Sequence, residues 1–304
     1  ITRTVYSLEV PASTITDYVV KVQVGVASMP ESNCKQYPSG VYKPTGILQK
    51  YGEPGKMYFG LLTGSYTKNT SGGVLRKPIG PITDEIDANT GQFTSTNGIV
   101  STIDKLRIVG FSYSSYSYND NCGWITTEPL SEGKCRMWGN PIGEMMYEGL
   151  RYFAGKGGPT SDFTYGAGSN DDNDLGLPKP NWDDPYVTND YCAKPFMLVL
   201  SDINPTYDSD QLPGSYFGSA PSPNDLSSLH VDNLADTIFS EEGLAGSYYI
   251  GQKGSTYDGS CAPKDATGFG DIRGICPEEP TKQGSYYAAS IAYYGHNNDI
   301  NPAD

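Results

Sequence analysis

Two stretches decide the reading of this chain: Trp138-Gly-Asn-Pro-Ile-Gly-Glu-Met-Met-Tyr-Glu-Gly-Leu-Arg-Tyr-Phe-Ala-Gly155 and Lys194-Pro-Phe-Met-Leu-Val-Leu-Ser-Asp202. In the first, Asn140 suits a helix N-cap and Pro141 the first helical position. Ile142, Met145, Met146, Leu150 and Phe153 then recur on one helical face, and Gly155 suits the residue just past the end. The second is an apolar run closed by an acid. It predicts a buried strand over 195–201 that carries Asp202 to its C-terminal end. In an open α/β sheet that rim is where ligands and ions bind.

Around this pair the pattern is strand, helix, strand, helix, with oversized loops. Residues 4–10 read as a strand. Tyr18, Val20, Val22, Val24 and Val26 alternate with polar residues and predict a second strand with one buried face. Thr45 to Tyr51 reads as a short helix. Met57 to Thr63 is a near-continuous apolar strand of the kind covered on both faces, and Val74-Leu-Arg76 reads as its return strand. Ile99, Val100, Ile103 and Leu106 have helical spacing. So do Val231, Leu234, Ala235, Ile238 and Phe239, with Gly243 as a stop; residues 245–280 read as loop, and a small-residue helix follows Gly284. Residues 111–123 are a Ser/Tyr/Asn tract in which no helix or buried strand is expected. Its Tyr113, Tyr116 and Tyr118 offer rigid contact area at low entropic cost, or pack on their own domain.

The 304 residues carry 35 acids against 21 bases, a net charge of −14, which argues against a nucleic-acid partner. Acidity by itself confers solubility, and it is also compatible with calcium. No run of 18 apolar residues predicts a membrane span. Ile1 onward lacks a basic-then-apolar leader pattern, so the chain reads as a mature or internal piece. Six cysteines without a CxxC fit disulfides in an oxidising compartment. Of the possible pairings, Cys122–Cys135 and Cys261–Cys276 are favoured because each closes a short Gly-containing loop. Cys34–Cys192 is left by elimination.

Asp202, Asn204, Asp208 and Asp210 are hard oxygen donors of the type that Ca²⁺ or Mg²⁺ accepts. Asp-rich loops also make turns and caps without any ion. Asp171, Asp172 and Asp174 form a second cluster, read as a solvated, mobile loop. Acid pairs at Glu241-Glu242 and Glu278-Glu279 leave a two-carboxylate glycoside hydrolase as a minor alternative. No Gly-x-Ser-x-Gly elbow or P-loop is present, and His230 and His296 both stand in polar context.

Several strings resemble the PilC/PilY family of type IV pilus tip-associated adhesins. They are Asn33-Cys-Lys35, Tyr42-Lys-Pro-Thr-Gly-Ile-Leu-Gln-Lys-Tyr51, Tyr58-Phe-Gly-Leu-Leu-Thr-Gly-Ser-Tyr66 and Ser71-Gly-Gly-Val-Leu-Arg76. Further along come Cys122-Gly-Trp-Ile125, Asn140 to Phe153, Cys192-Ala-Lys-Pro-Phe196, Gly284 to Tyr294 and Asn298-Asp-Ile-Asn-Pro302. The resemblance implies an extracellular domain at a pilus tip or cell surface. It would work without enzymatic activity in pilus assembly, attachment and twitching motility. Its partners would be minor pilins, the tip complex and a host or abiotic surface. A metal-free scaffold that docks minor pilins is the alternative within that family.

The implied fold is a single von Willebrand factor A-like α/β domain over 1–304. It would carry large insertions at about 67–137, 156–194 and 203–228, and the family's calcium-binding propeller is absent from this chain. The family's rim uses an Asp-x-Ser-x-Ser loop, which these residues lack. By the resemblance Asp202 matches the family's rim acid, Asn140 stands as an oxygen-bearing but altered ligand where a Thr is expected, and Gly25 stands where a Cys is expected.

Overall fold

In a computed structural model, residues 2–10, 14–119, 129–189, 192–201, 204–276 and 282–302 are described. The chain falls into two compact units, one of residues 1–59 and 79–101 and one of residues 60–78 and 102–304.

The smaller unit opens with a hairpin. Strand β1 (Thr2–Val10) pairs antiparallel with β2 (Thr14–Val22), setting Thr2 opposite Val22 and Val10 opposite Thr14. The alternation predicted one buried face, but Val22, Val24 and Val26 are exposed and the strand stops at Val22. The short strands β3 (Cys34–Gln36) and β4 (Tyr42–Pro44) pair antiparallel. Helix α1 (Ile47–Gly52) follows. Tyr37, Ile82, Ile86 and Ile99 are the buried apolar side chains among the described residues of this unit. Ahead of helix α2 (Ile99–Lys105), the Glu85 carboxylate accepts from the Ile99 and Val100 amides at 2.9 and 2.8 Å. These are first-turn amides that no carbonyl of the helix can reach.

The larger unit is organised around α3 (Ile142–Phe153), the predicted helix. Glu144 lies in its first turn and Arg151 in its last, the favourable order for the helix dipole. Gly155 ends it with φ +62, a left-handed conformation that a Cβ would strain. The apolar spacing predicted one buried face, yet Glu144, Glu148 and Arg151 are buried with Tyr147 and Leu150. Strand β5 (Phe59–Thr63) pairs with β6 (Val74–Gly80), as the hairpin reading required. Among the described residues this sheet has two strands, with Val74, Leu75, Arg76 and Lys77 of β6 buried and β5 mostly half-buried, so β5 is not the doubly covered strand its apolar run predicted. In the Ser/Tyr tract β7 (Phe111–Ser112) and β8 (Ser117–Tyr118) form a minimal hairpin. Helices α4 (Asp171–Asp174) and α5 (Pro185–Thr188) punctuate the long excursion after α3.

Helix α6 (Val231–Glu241) buries Val231, Ala235 and Phe239, one per turn, and Gly243 follows it with φ +65. Where the sequence reads as loop, strands β9 (Gly246–Lys253), β10 (Thr256–Ala266) and β11 (Ile272–Ile275) form an antiparallel sheet with β9 in the centre, held by main-chain pairing that needs no apolar alternation. Helix α7 (Tyr287–Asn297) packs against both α3 and α6. Ser290 Oγ donates to the Val231 carbonyl at 2.8 Å. A Cβ on Gly295 would stand 2.9 Å from a Leu150 methyl, so the missing side chain sets how closely α7 approaches α3. Tyr147, Leu150, Leu229, Val231, Ile250, Ile272, Tyr287 and Ile291 make one continuous core. Each buried side chain of this size contributes about 1.5–3 kcal/mol.

The second deciding stretch departs from its reading. Lys194–Ser201 is neither helix nor paired strand, and Phe196, Leu198 and Leu200 are exposed. A buried strand needs neighbours along both edges, and the described residues supply none.

Candidate functional site

Ser201, Asn204, Thr206 and Asp208 meet the start of α3. The Asn140 amide nitrogen donates to Ser201 Oγ at 2.9 Å and to the Asn204 carbonyl at 3.1 Å. Its backbone N–H donates to Thr206 Oγ1 at 2.7 Å, and its carbonyl accepts from the Thr206 amide at 2.9 Å. Asn140 therefore staples the loop and points a nitrogen, not an oxygen, at these two neighbours. Asn204 is exposed. Asp202 lies outside the described residues.

Tyr207 turns the chain with φ +54, is buried, and accepts from the Leu130 amide through its hydroxyl. The turn sends Asp208 inward. Its Oδ1 accepts from the Ser285 amide and hydroxyl at 2.8 and 2.9 Å, and its Oδ2 accepts from the Gly143 amide at 3.2 Å. Asp208 thus bridges the N-terminus of α3 to the segment before α7. Glu144 does the same job from the helix side: Oε2 accepts from the Gly72 amide at 2.7 Å and Oε1 from the Gln211 amide at 3.1 Å. With both oxygens committed to main-chain donors, neither acid is an open ligand. Among the described residues no three acidic, His or Cys side chains are grouped to hold a metal ion. Asp208, held in this way, does not fit Ca²⁺ or Mg²⁺ as a ligand.

Burial pushes the Asp208 carboxyl up to about 6, against the pull of its Ser285 and Gly143 hydrogen bonds. Burial, and then the charges of Asp210 and Asp208, hold Glu144 well above the usual carboxylate range. Asp210 is raised by burial too, opposed by the Arg273 charge. For an acid whose native value is raised, the folded state binds the proton more tightly than the unfolded one. The stability it confers is complete below pH 4 and is lost as pH rises through about 6, a change of about 3 kcal/mol for Asp208. Urea unfolding at pH 4.5 and pH 7 tests this. The wild type loses more stability over that interval than Asp208→Asn, by roughly 2–3 kcal/mol. A difference between the two proteins that is the same at both pH values would refute the shift.

Tyr113 and Tyr116 project from the β7–β8 hairpin, 70% and 82% exposed, the latter at φ +51. Tyr118 turns back against Phe111 and Trp138 with ring centroids at 5.0 and 6.3 Å. Tyr113 also meets the Phe111 ring edge-on, with centroids 5.0 Å apart, so it is exposed on one side and packed on the other.

Cys261–Cys276 is a disulfide, as expected. Cys135 is disulfide-bonded, while Cys122 lies outside the described residues. Cys34 and Cys192 are both free thiols, which corrects their pairing. Elimination assumed that every cysteine was oxidised. Cys34 Sγ instead donates to Glu31 Oε2 at 3.2 Å, and that same carboxylate oxygen takes the Gly25 amide at 2.9 Å.

The Asp171–Asp174 cluster was expected in a solvated loop. Asp172 is fully buried and paired with a fully buried Arg76, with Oδ1 at 2.6 Å from Nη2. Sequence reasoning missed this pair, and also the buried group of Glu148, Arg151 and Thr160 with the half-buried Asp225. A Glu148–Arg151 spacing of three on a helix was the one signal for the latter.

Residues 59–295 match the family model described as PilY1 homolog, second domain. The chain is 44% identical over 309 residues to the "Type IV pilus biogenesis factor PilY1 homolog" of Xylella fastidiosa (strain Temecula1 / ATCC 700964). That alignment covers 94% of this chain and 21% of the relative, so the chain spans about a fifth of the length of the curated protein it matches. No solved structure matches. On the extent of the family match and the level of identity, the chain belongs to the PilY1 homolog family and contains its second domain.

Proposed function

We propose that this chain is a non-enzymatic domain of an extracellular type IV pilus protein that supports pilus assembly and surface attachment, and through them twitching motility. The observation that carries the reading is the 44% identity, over nearly the whole chain, to a protein named as a pilus biogenesis factor. Minor pilins and the tip complex are the proposed partners on the assembly side, and a host or abiotic surface on the attachment side. Tyr113 and Tyr116 support the attachment role, because they are large, rigid and exposed on one short hairpin. The von Willebrand A-like reading draws support from the stapling of the Ser201–Thr206 loop to the start of α3 through Asn140. Committed carboxylates at Asp208 and Glu144 favour the metal-free form of that fold, and the proposal assigns Ca²⁺ or Mg²⁺ no role. No helix among the described residues is long and apolar enough to cross a membrane.

The test is an in-frame removal of residues 59–295 in the bacterium that encodes the protein. Surface pili counted by electron microscopy and the twitching zone are both expected to be lost. Wild-type piliation, twitching and attachment after the removal would end the proposal.

A further inference from the structure

Phe196-Met-Leu-Val-Leu200 is the most apolar run of five in its unit's long excursions, and it is left outside the core. Phe196, Leu198 and Leu200 are 76%, 84% and 86% exposed, while Met197 and Val199 are 37% and 45% exposed. The alternation of higher and lower exposure has period two, the signature of an extended strand with two distinct faces. The less exposed face leans on α3, since Met197 Sδ stands 3.0 Å from where a Cβ on Gly149 would be. Phe196 to Leu200 make no main-chain hydrogen bond with the described residues, so the amides and carbonyls on both edges are open.

A chain in water does not leave such a run bare. It has no charge, no internal proline and strong strand propensity, the composition that pairs with any available edge. Because both faces are apolar, it suits an internal strand of a covered sheet and not an edge strand with a wet side. Its occupant must therefore bring a backbone edge as well as apolar side chains. The relative is about five times as long as the part this chain matches, so most of that polypeptide lies outside the match.

We propose that Phe196–Leu200 is a docking strand, completed by a β-strand from another part of the same longer polypeptide, beyond these 304 residues. The pairing goes beyond the pilus role proposed above and would hold whether the domain assembles pili, attaches to surfaces or does both. It would also deliver the Ser201–Asp210 loop to the end of a sheet, as the sequence pattern requires.

Hydrogen–deuterium exchange on a peptide spanning 195–201 decides it. In the isolated 304-residue chain these amides are expected to exchange at the rate of an open chain. In the complete polypeptide they are expected to exchange about 100-fold more slowly or slower. Equal, fast exchange in both proteins would overturn the proposal. Slow exchange in the isolated chain, with dimers in sedimentation, would overturn it in favour of a second copy as occupant. Leu198→Asp keeps the test independent of folding. In the isolated chain it is expected to leave the thermal midpoint unchanged, whereas in the complete polypeptide it is expected to abolish the protection of 196–200. Protection retained in that variant would count against strand insertion.

Discussion

Asp172→Asn is expected to destabilise the larger unit by roughly 3–5 kcal/mol, the usual cost of removing one partner from a buried ion pair. Every N–H of the Arg76 guanidinium is used. Nε donates to Thr63 Oγ1 at 2.9 Å, and Nη1 to the Tyr165 hydroxyl at 2.7 Å and the Pro178 carbonyl at 3.2 Å. Nη2 donates to the Gly64 carbonyl at 3.2 Å and to Asp172 at 2.6 Å. Asp172 in turn accepts from Ser65 Oγ, the Thr67 amide and Thr67 Oγ1, each at 2.9 Å. The pair ties β5 and β6 to α4 and the Tyr165 and Pro178 loops. Asn keeps the shape but removes the charge that compensates a fully buried cation. For a unit of this size the loss corresponds to a drop in thermal midpoint on the order of 10 °C. Differential scanning calorimetry checks it, with Asp171→Asn as the control. Asp171 is partly exposed and pairs at the surface with Arg136, so its loss is expected to cost about 1 kcal/mol or less. Equal effects of the two substitutions would show that burial of Asp172 does not matter.

Arg151→Ala is expected to cost a similar roughly 3–5 kcal/mol, through an acid left behind. Arg151 grips Asp225 with Nε and Nη2, both at 2.8 Å, and donates from Nη1 to Glu148 Oε2 and Thr160 Oγ1, both at 3.0 Å. Glu148 also accepts from the Thr160 amide at 2.8 Å and hydroxyl at 2.7 Å. Burial already raises the Glu148 carboxyl, and Thr160 and Arg151 oppose that rise. Without Arg151 the acid is expected to take up a proton, so the variant's deficit should narrow at pH 4.5 relative to pH 7. Arg151→Lys is expected to recover only part of the loss, because a point charge cannot hold Asp225 with two parallel bonds. Urea unfolding of the three proteins at both pH values measures this. Full recovery by Lys would show that charge alone matters and the fork geometry does not.

The two networks also explain where sequence reading stopped. Helix α3 was legible because its apolar positions, its Asn-Pro start and its Gly155 stop are all local. Helices α1, α2 and α6 and the β5–β6 hairpin were legible for the same reason. Asp172 was read as solvated because its neighbours are polar, while its cation lies 96 residues away. The run at 195–201 was read as buried because apolar residues and extended spacing describe what a strand requires. Whether a partner edge is present is not a property of the strand itself. The cysteine pairing failed at Cys34 and Cys192 because an even count does not reveal which thiols come within bonding distance.

The sequence alone therefore determined helices α1, α2, α3, α6 and α7 and the β5–β6 hairpin, whose periods of 3.6 and 2 residues are written in neighbouring positions, whereas the β9–β11 sheet stands in a stretch that reads as loop. Its motifs also pointed to the family that the comparisons bear out. Only the tertiary structure decided which charges are buried, that Asn140 acts as a staple and Asp208 as one with both oxygens committed, and that Phe196–Leu200 stands open. Those outcomes depend on which distant groups meet in space, because burial and hydrogen-bond saturation belong to the packed neighbourhood and not to a residue and its near neighbours in the chain.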